Sequence, residues 1–107
     1  MTLENYQEFT KTTAIYPVNS ALEYLGLGLA SEAGEVAGKI KKLIRGDVDN
    51  VDDIRYDLKL ELGDVLYYIS ELCTQLDFSI KEVLQANADK LVSRKAKGTL
   101  RGSGDGR

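Results

Sequence analysis

The chain has 107 residues, of which 43% are hydrophobic and 29% are charged, and its formal net charge is −3. This length and composition fit one globular domain. The single cysteine, Cys73, excludes an intrachain disulfide and a thiolate zinc site, and the lack of histidine excludes Ser-His-Asp and Cys-His nucleophile systems and histidine-ligated zinc. Any chemistry must use carboxylates, amines, guanidinium groups, hydroxyls or a bound ion.

Charge is distributed unevenly along the chain. Residues 1–89 carry eight basic and sixteen acidic side chains, whereas residues 90–107 carry six basic side chains and one acidic side chain. The acidic body argues against a nucleic-acid duplex as partner. The basic tail is either an ordinary solvated segment or a counterpart for a polyanion bound to the body. No apolar run predicts a membrane span or a signal peptide, so we expect a cytoplasmic protein.

The first half of the chain predicts two helices. The first covers about residues 2–14, with Leu3, Tyr6 and Phe9 facing inward, and ends before the turn at Tyr16-Pro17. The second begins at a capping box, Ser20-x-x-Glu23, and runs to about residue 44, where Gly46 can adopt the left-handed cap conformation.

The second half predicts two further helices and no strand. The third helix covers about residues 52–76 and opens with two acids that suit a helix N-terminus. The fourth begins at a second capping box, Ser79-x-x-Glu82, and reaches about residue 97. We therefore predict an all-α domain over residues 1–97, a four-helix bundle, followed by a glycine-rich basic tail over residues 98–107.

Acidic residues interrupt the apolar faces of the second and third helices. Glu32 lies on an apolar line drawn by Leu22, Leu25, Leu29, Val36 and Leu43, and Glu35 follows three residues later. Residues at i and i+3 are about 60° and about 4.5 Å apart on a helix, so both carboxylates can reach one point. The third helix repeats this spacing with Glu61 and Asp64, beside an apolar line of Leu58, Leu62, Val65, Ile69, Leu72 and Leu76.

A short connection over residues 46–51 favours antiparallel packing of these two helices, which would bring the four carboxylates together. A divalent cation is the simplest relief of their repulsion, and an all-oxygen donor set favours Mg²⁺ or Mn²⁺. The alternative is that these acids are solvated, or are paired with lysines one turn away, as Glu35 and Lys39 could be.

These residues resemble a known family. Ser31-Glu32-Ala33-Gly34-Glu35-Val36, followed by Glu61-Leu62-Gly63-Asp64-Val65, is similar to the E-x-x-E and E-x-x-D signature of MazG-type nucleotide pyrophosphohydrolases. The resemblance extends to a closing Asn87-x-x-Lys90-Leu91-x-x-Arg94 and to the tail GSGDGR. It implies that Glu32, Glu35, Glu61 and Asp64 hold Mg²⁺. It also implies cleavage of nucleoside triphosphates to a monophosphate and pyrophosphate.

The resemblance leaves one feature open. Many members carry a further Glu immediately before the first motif acid, where this chain has Ser31. The number of bound metal ions is therefore not fixed by the resemblance. Of the four acids, we favour Glu35 as the group that accepts the proton of the attacking water, because it borders the apolar line and can face both ion and solvent.

Other side chains are candidates for binding substrate. Lys39, Lys42, Lys90 and Arg94 can hold phosphate charge, although each is individually typical of a surface residue. Asn87 can hydrogen-bond to a base or a sugar, or it can be an ordinary solvent-facing residue. Tyr68 can stack on or donate to a nucleotide, or it can be a core residue. The tail can fold over substrate and bring Arg101 or Arg107 to the phosphates, or it can be disordered.

Two patterns predict self-association. Gly26, Ala30, Gly34 and Gly38 recur every four residues on the second helix and form a smooth ridge on which another backbone can pack. The third helix is apolar on further sides, through Tyr56, Leu60, Leu66 and Tyr67. We expect a homodimer or homotetramer, with the nucleotide site near the subunit boundary.

The predicted function is Mg²⁺-dependent hydrolysis of nucleoside triphosphates that clears unwanted nucleotides from the pool. One alternative is a related all-α pyrophosphohydrolase with another substrate, such as a dimeric dUTPase or a phosphoribosyl-ATP pyrophosphatase. The other is a non-catalytic helical interaction module whose acids form only a polar face.

Overall fold

The computed structural model describes residues 1–106, which form four helices and, within that range, no strand. The helices are α1 (Leu3–Lys11), α2 (Ala21–Arg45), α3 (Arg55–Gln75) and α4 (Ile80–Lys97). Short 3₁₀ turns at Val18–Ser20 and Val51–Asp53 precede α2 and α3. The all-α prediction is confirmed. Arg107, the end of the predicted tail, lies outside the described residues.

Local signals set most of the helix ends. Gly46 closes α2 in the left-handed conformation with φ +86°, and the Ser79 hydroxyl accepts a hydrogen bond from the Glu82 amide at the start of α4, as predicted. The capping box at Ser20 is wrong, because the Ser20 side chain makes no cap bond and a 3₁₀ turn leads into α2 instead.

Two other predicted ends are misplaced by a few residues. The predicted 2–14 helix ends early, at Lys11, where the hydroxyls of Thr12 and Thr13 donate to the carbonyls of Phe9 and Thr10. The predicted start at residue 52 is a 3₁₀ turn, which Asn50 caps by accepting the Asp52 amide.

Helices α2 and α3 pack antiparallel along their length. Gly28 of α2 faces Tyr68 of α3, and Lys39, further along α2, faces Glu61, which lies earlier on α3. Helix α1 crosses α3, and α4 packs mainly on α1 while touching α3 near the turn between them. The α2–α3 pair therefore supplies the longest contact surface in the chain, and it is this surface that carries the motif acids.

The predicted apolar lines are only partly buried. Leu25 on the α2 line is fully buried, but Leu22 on the same line is exposed, as is Leu62 on the α3 line. On α1, Leu3 and Phe9 are exposed, contrary to the prediction, and Thr10 is the buried residue. A helical period identifies one apolar face, but it does not say whether that face meets the same chain or something outside it.

Polar side chains occupy much of the interior between α1 and α3. Glu71 is 1% exposed and accepts hydrogen bonds from the Thr10 hydroxyl at 2.7 Å and the Tyr16 hydroxyl at 2.6 Å. The Ser70 and Thr10 hydroxyls are 2.7 Å apart and also bonded. Cys73 is buried one turn further along α3, and this burial raises the pKa of its thiol.

The protomer leaves much apolar surface uncovered. On α3, Tyr56, Leu60, Leu62 and Leu66 are all at least half exposed, and Tyr56, Leu62 and Leu66 line an open groove of about 750 Å³. The radius of gyration is 16.7 Å, whereas a compact domain of this length has a value of about 13 Å. The four helices therefore form an extended protomer rather than a closed bundle.

The predicted glycine ridge does not receive a backbone from its own chain. Within residues 1–106, a Cβ built on Gly26, Gly34 or Gly38 meets no atom within 4 Å beyond its own stretch of helix, so these positions are open in the described protomer. The close approach is at Gly28, which the ridge pattern does not include. Among the described residues, no helix has both the length and the apolar character needed to cross a bilayer.

Candidate functional site

Three of the four motif acids come together between α2 and α3. One carboxylate oxygen from each of Glu32, Glu61 and Asp64 lies within 4.8 Å of the other two. Glu32 is contributed by the middle of α2 and the other two by the first half of α3, which the antiparallel packing sets opposite it. Glu32 and Glu61 are half-buried, whereas Asp64 is exposed.

The electrostatics of the group reflect this crowding. Burial first, and then repulsion from Asp64, Glu61 and Glu35, raise the pKa of Glu32. The negative charges in this cluster thus repel one another. A positive ion in the middle would relieve it.

The geometry of the donors fits a hard divalent cation. Oxygens bound to Mg²⁺ at about 2.1 Å lie about 3 to 4.2 Å apart in an octahedron. The three carboxylates, within 4.8 Å of one another, need only a small contraction to reach such a sphere. The donors are all oxygen, which favours Mg²⁺ and Mn²⁺ over zinc or copper.

Glu35 lies beside this group but not in it. The set of three does not include its carboxylate, and its side chain is exposed, although it is near enough to raise the pKa of Glu32. The spacing along α2 put both acids on one strip, but in the packed helix pair only Glu32 joins Glu61 and Asp64.

The predicted cations fall into two groups. The Lys39 ammonium lies 3.9 Å from a Glu61 carboxylate oxygen, at the edge of the acidic group, and Lys42 is exposed further along α2. Lys90 and Arg94 lie on α4 and bond to the C-terminal tail: Lys90 donates to Asp105, and Arg94 donates to Asp105 and the Gly104 carbonyl. No sequence pattern indicated that Asp105 would pair with these two residues.

Two uncharged candidates are placed differently from each other. The Tyr68 ring packs against Gly28, tilted toward Tyr24 with 6.5 Å between ring centroids and edge-on to Tyr67 at 5.2 Å. Tyr68 is thus half-buried between α2 and α3, one turn after Asp64. Asn87 is exposed on α4, where it lines a cavity of about 580 Å³.

Sequence reasoning missed the buried network around Glu71. Its partners, Thr10 and Tyr16, lie 61 and 55 residues away in the chain, so no helical spacing could reveal them. The available signal was an acid, Glu71, within the otherwise apolar and neutral run of residues 65–76. The network also contacts the packed rings of Tyr24, Tyr67 and Tyr68, since the Tyr16 ring stacks on Tyr24 with 5.7 Å between ring centroids.

Comparison with known proteins identifies the family of the chain. The model of the MazG nucleotide pyrophosphohydrolase domain matches residues 21–99, which include α2, α3 and α4 and all of the motif acids. The chain therefore belongs to the MazG family of nucleotide pyrophosphohydrolases.

The chain is also similar to the Gene 37 protein of Mycobacterium phage L5. The two are 44% identical over 115 aligned positions that span the whole of both chains. The name of that phage protein states no activity. No solved structure matches the chain significantly.

Proposed function

We propose that this protein is a Mg²⁺-dependent nucleoside triphosphate pyrophosphohydrolase, which converts a (d)NTP and water to a (d)NMP and pyrophosphate. Family membership supports hydrolysis of a nucleotide. The observation that carries the finer proposal is the convergence of Glu32, Glu61 and Asp64. The same oxygens suit Mn²⁺ as a substitute ion.

The four acids have two roles in this proposal. Glu32, Glu61 and Asp64 hold the metal, which when bound neutralises phosphate oxygens and lowers the pKa of a water molecule. Glu35, which the resemblance implies as a fourth ligand, is assigned the proton instead, because it lies outside the group of three and faces solvent. As the water oxygen bonds to phosphorus and the bridge between the α and β phosphates breaks, Glu35 accepts the water proton.

The remaining roles concern the charge and shape of the substrate. Lys39 stands nearest to the acids and is assigned a phosphate contact, with Lys42 as a weaker contributor. On α4, Lys90 and Arg94 are assigned to phosphate recognition, and Asn87 to the base or sugar. Tyr68 is assigned to supporting the nucleotide from the α2–α3 side.

The active form is proposed to be a homodimer or homotetramer with the nucleotide site near the subunit boundary. The support is the uncovered apolar surface of α3 and the extended shape of the protomer. Its cellular task is proposed to be the removal of unwanted nucleotides from the cytoplasmic pool.

A hydrolysis assay tests the proposal. Purified protein is incubated with a panel of ribo- and deoxynucleoside triphosphates, with and without Mg²⁺, and mono- and diphosphate products are resolved. We expect monophosphate and pyrophosphate only when Mg²⁺ is present. Diphosphate with orthophosphate would overturn the assignment, and a strong preference for dUTP or phosphoribosyl-ATP would place the protein in one of the related pyrophosphohydrolase classes.

Variants distinguish the metal ligands from the general base, Glu35. Glu35→Gln should lower kcat by about 10²–10⁴-fold while Mg²⁺ still raises the melting temperature. Glu61→Gln should remove both activity and the Mg²⁺-induced shift, which for wild type corresponds to about 2.7 kcal/mol at Mg²⁺ near 100 times Kd. Glu23→Gln, an exposed acid elsewhere on α2, serves as the control.

The interaction-module alternative gives a different result. If Mg²⁺ neither binds nor raises the melting temperature, and Glu61→Gln is neutral or stabilising, the acids form a polar face without catalysis.

A further inference from the structure

The C-terminal tail folds back onto α4 along a defined path. Three glycines in it, Gly98, Gly102 and Gly104, have φ values of +72°, +129° and +82°, which other residues adopt only under strain. The Thr99 amide donates to the Arg94 carbonyl at 2.8 Å and begins the return. The path ends with the Asp105 carboxylate beside α4, one to two helical turns before the end of that helix.

Asp105 bridges two cations with one oxygen. Its Oδ1 is 2.9 Å from the Lys90 ammonium and 3.0 Å from the Arg94 guanidinium, and the two cations hold the pKa of Asp105 below its ordinary value. Two positive charges thus meet one negative charge, which leaves these three side chains with a net charge of +1.

The two cations differ in accessibility. Arg94 is 5% exposed with the tail docked, and its Nη2 donates to the Gly104 carbonyl and to Asp105, so withdrawal of the tail would break both hydrogen bonds. We therefore take the docked tail to be a permanent part of the fold, and not an occupant that a ligand displaces.

Lys90 is more accessible to a ligand than Arg94. Its side chain is 38% exposed, and it sits on the wall of a cavity of about 580 Å³ on α4. A lysine ammonium has three N–H donors, of which Asp105 accepts one. The cavity is mostly apolar and is lined by Phe78, Glu82, Val83, Ala86, Asn87 and Lys90.

We infer that residues 98–106 form a strap in which Asp105 is a positioning residue, holding the Lys90 ammonium at the α4 cavity ready for a phosphate group of the nucleotide. This inference rests on the proposed function. The reason is entropic: a lysine side chain has four rotatable bonds, and fixing it before the substrate arrives removes part of the cost of binding.

Steady-state kinetics with a double-mutant cycle tests the strap. Asp105→Asn should raise KM for the triphosphate about two- to fivefold, the effect of an exposed ion pair, and leave kcat within about twofold. Lys90→Gln should raise KM at least as much, and Asp105→Asn should then have no further effect. Asp105→Glu, which keeps the carboxylate, should retain most of the wild-type affinity.

The control is Asp47→Asn, an exposed acid paired with Arg45 near the end of α2, which should leave KM unchanged. A fall in KM for Asp105→Asn would mean that the tail competes with substrate, and would overturn the inference. So would an unchanged KM, or independent effects of the two substitutions.

Binding without turnover separates this inference from the proposed function. Calorimetric titration with inorganic pyrophosphate should show weaker binding to Asp105→Asn than to wild type. If wild type binds pyrophosphate in this way but hydrolyses no triphosphate, the proposed function fails and the strap stands. Equal pyrophosphate affinity in the two proteins overturns the strap even when hydrolysis is observed.

Discussion

Gly28 is a residue whose identity is dictated by a neighbour on another helix. A Cβ at this position would lie 2.1 Å from the nearest carbon of the Tyr68 ring, far inside contact distance. The ring is held by Tyr24 on one side and Tyr67 on the other, so it cannot move aside freely. The glycine therefore sets how α2 and α3 approach each other next to the acidic group.

We predict that Gly28→Ala destabilises the protein by about 1–3 kcal/mol in urea unfolding, because the added methyl overpacks the interface. The matched control is Gly26→Ala, two residues earlier on α2, where the new Cβ meets no neighbour within 4 Å. That substitution should stabilise by up to about 1 kcal/mol through helix propensity. Equal effects at the two positions would contradict the assigned contact.

Tyr16 makes the free energy of unfolding depend on pH in the alkaline range. Burial first, and then the hydrogen bond to Glu71, raise the pKa of Tyr16 from 10.0 to about 12. A raised pKa means that the folded state favours the neutral phenol, so this contribution is complete below pH 10 and is lost as the pH rises to about 12. The free energy of unfolding should fall across that window, and Tyr16→Phe should flatten this part of the curve.

For individual residues, sequence spacing predicts which acids share a helical face but not how two helices are turned toward each other. The E-x-x-E spacing lets both Glu32 and Glu35 reach one point, yet three-dimensional packing groups only Glu32 with Glu61 and Asp64. The pairing of Asp105 with α4 was unpredictable for a related reason, since its position depends on the positive-φ conformations of three glycines in the tail.

Among the elements, α1 is attached mainly through polar side chains, and the most buried of these contacts is to Glu71. Glu71 accepts hydrogen bonds from Thr10 at the end of α1 and from Tyr16 in the segment that follows. Gln7 adds a second attachment by donating to Thr74 and to the Phe78 carbonyl, near the turn between α3 and α4. The short helix is therefore held mainly by polar contacts, which explains why its apolar residues could be exposed.

We predict that Glu71→Ala destabilises the protein by about 2–4 kcal/mol, because the Thr10 and Tyr16 hydroxyls lose their buried acceptor. Glu71→Gln keeps one acceptor oxygen and should cost less than half as much. Chemical unfolding gives the free energies, and hydrogen exchange locates the effect. Protection should be lost first in α1, and uniform loss across all four helices would contradict this reading.

Helix existence was predictable because its signals are local. Gly46 and Ser79 act on residues within one turn, so their roles can be recognised from the chain alone. Ser20 carries the same signal and fails, since a 3₁₀ turn positions its backbone differently. The ends of α1 and α3 were misjudged by three residues each for comparable local reasons.

For the whole molecule, burial was the least predictable property. Leu62 and Leu25 follow equally regular apolar patterns, but only Leu25 is covered by the protomer. A sequence pattern records that a face avoids water without recording which surface covers it. In this chain the protomer leaves much of the apolar face of α3 uncovered, and we propose that a second copy covers it.

We predict that Leu66→Asp on the α3 groove shifts the protein to a monomer in sedimentation velocity, because a charge would be buried in the interface. The matched control is Ile15→Asp, an equally large apolar-to-acid change in the exposed segment after α1, which should leave the assembly unchanged. A wild-type protein that sediments as a monomer would contradict the proposed assembly directly.

The buried position of Cys73 has a practical consequence for experiments on this protein. It is the sole native thiol, it is 2% exposed, and burial raises its pKa, so it is a poor nucleophile in the native state. A cysteine introduced on the surface can therefore take a spectroscopic probe selectively, with the native thiol left in place. Distances within an assembly can then be measured on an otherwise unaltered interior.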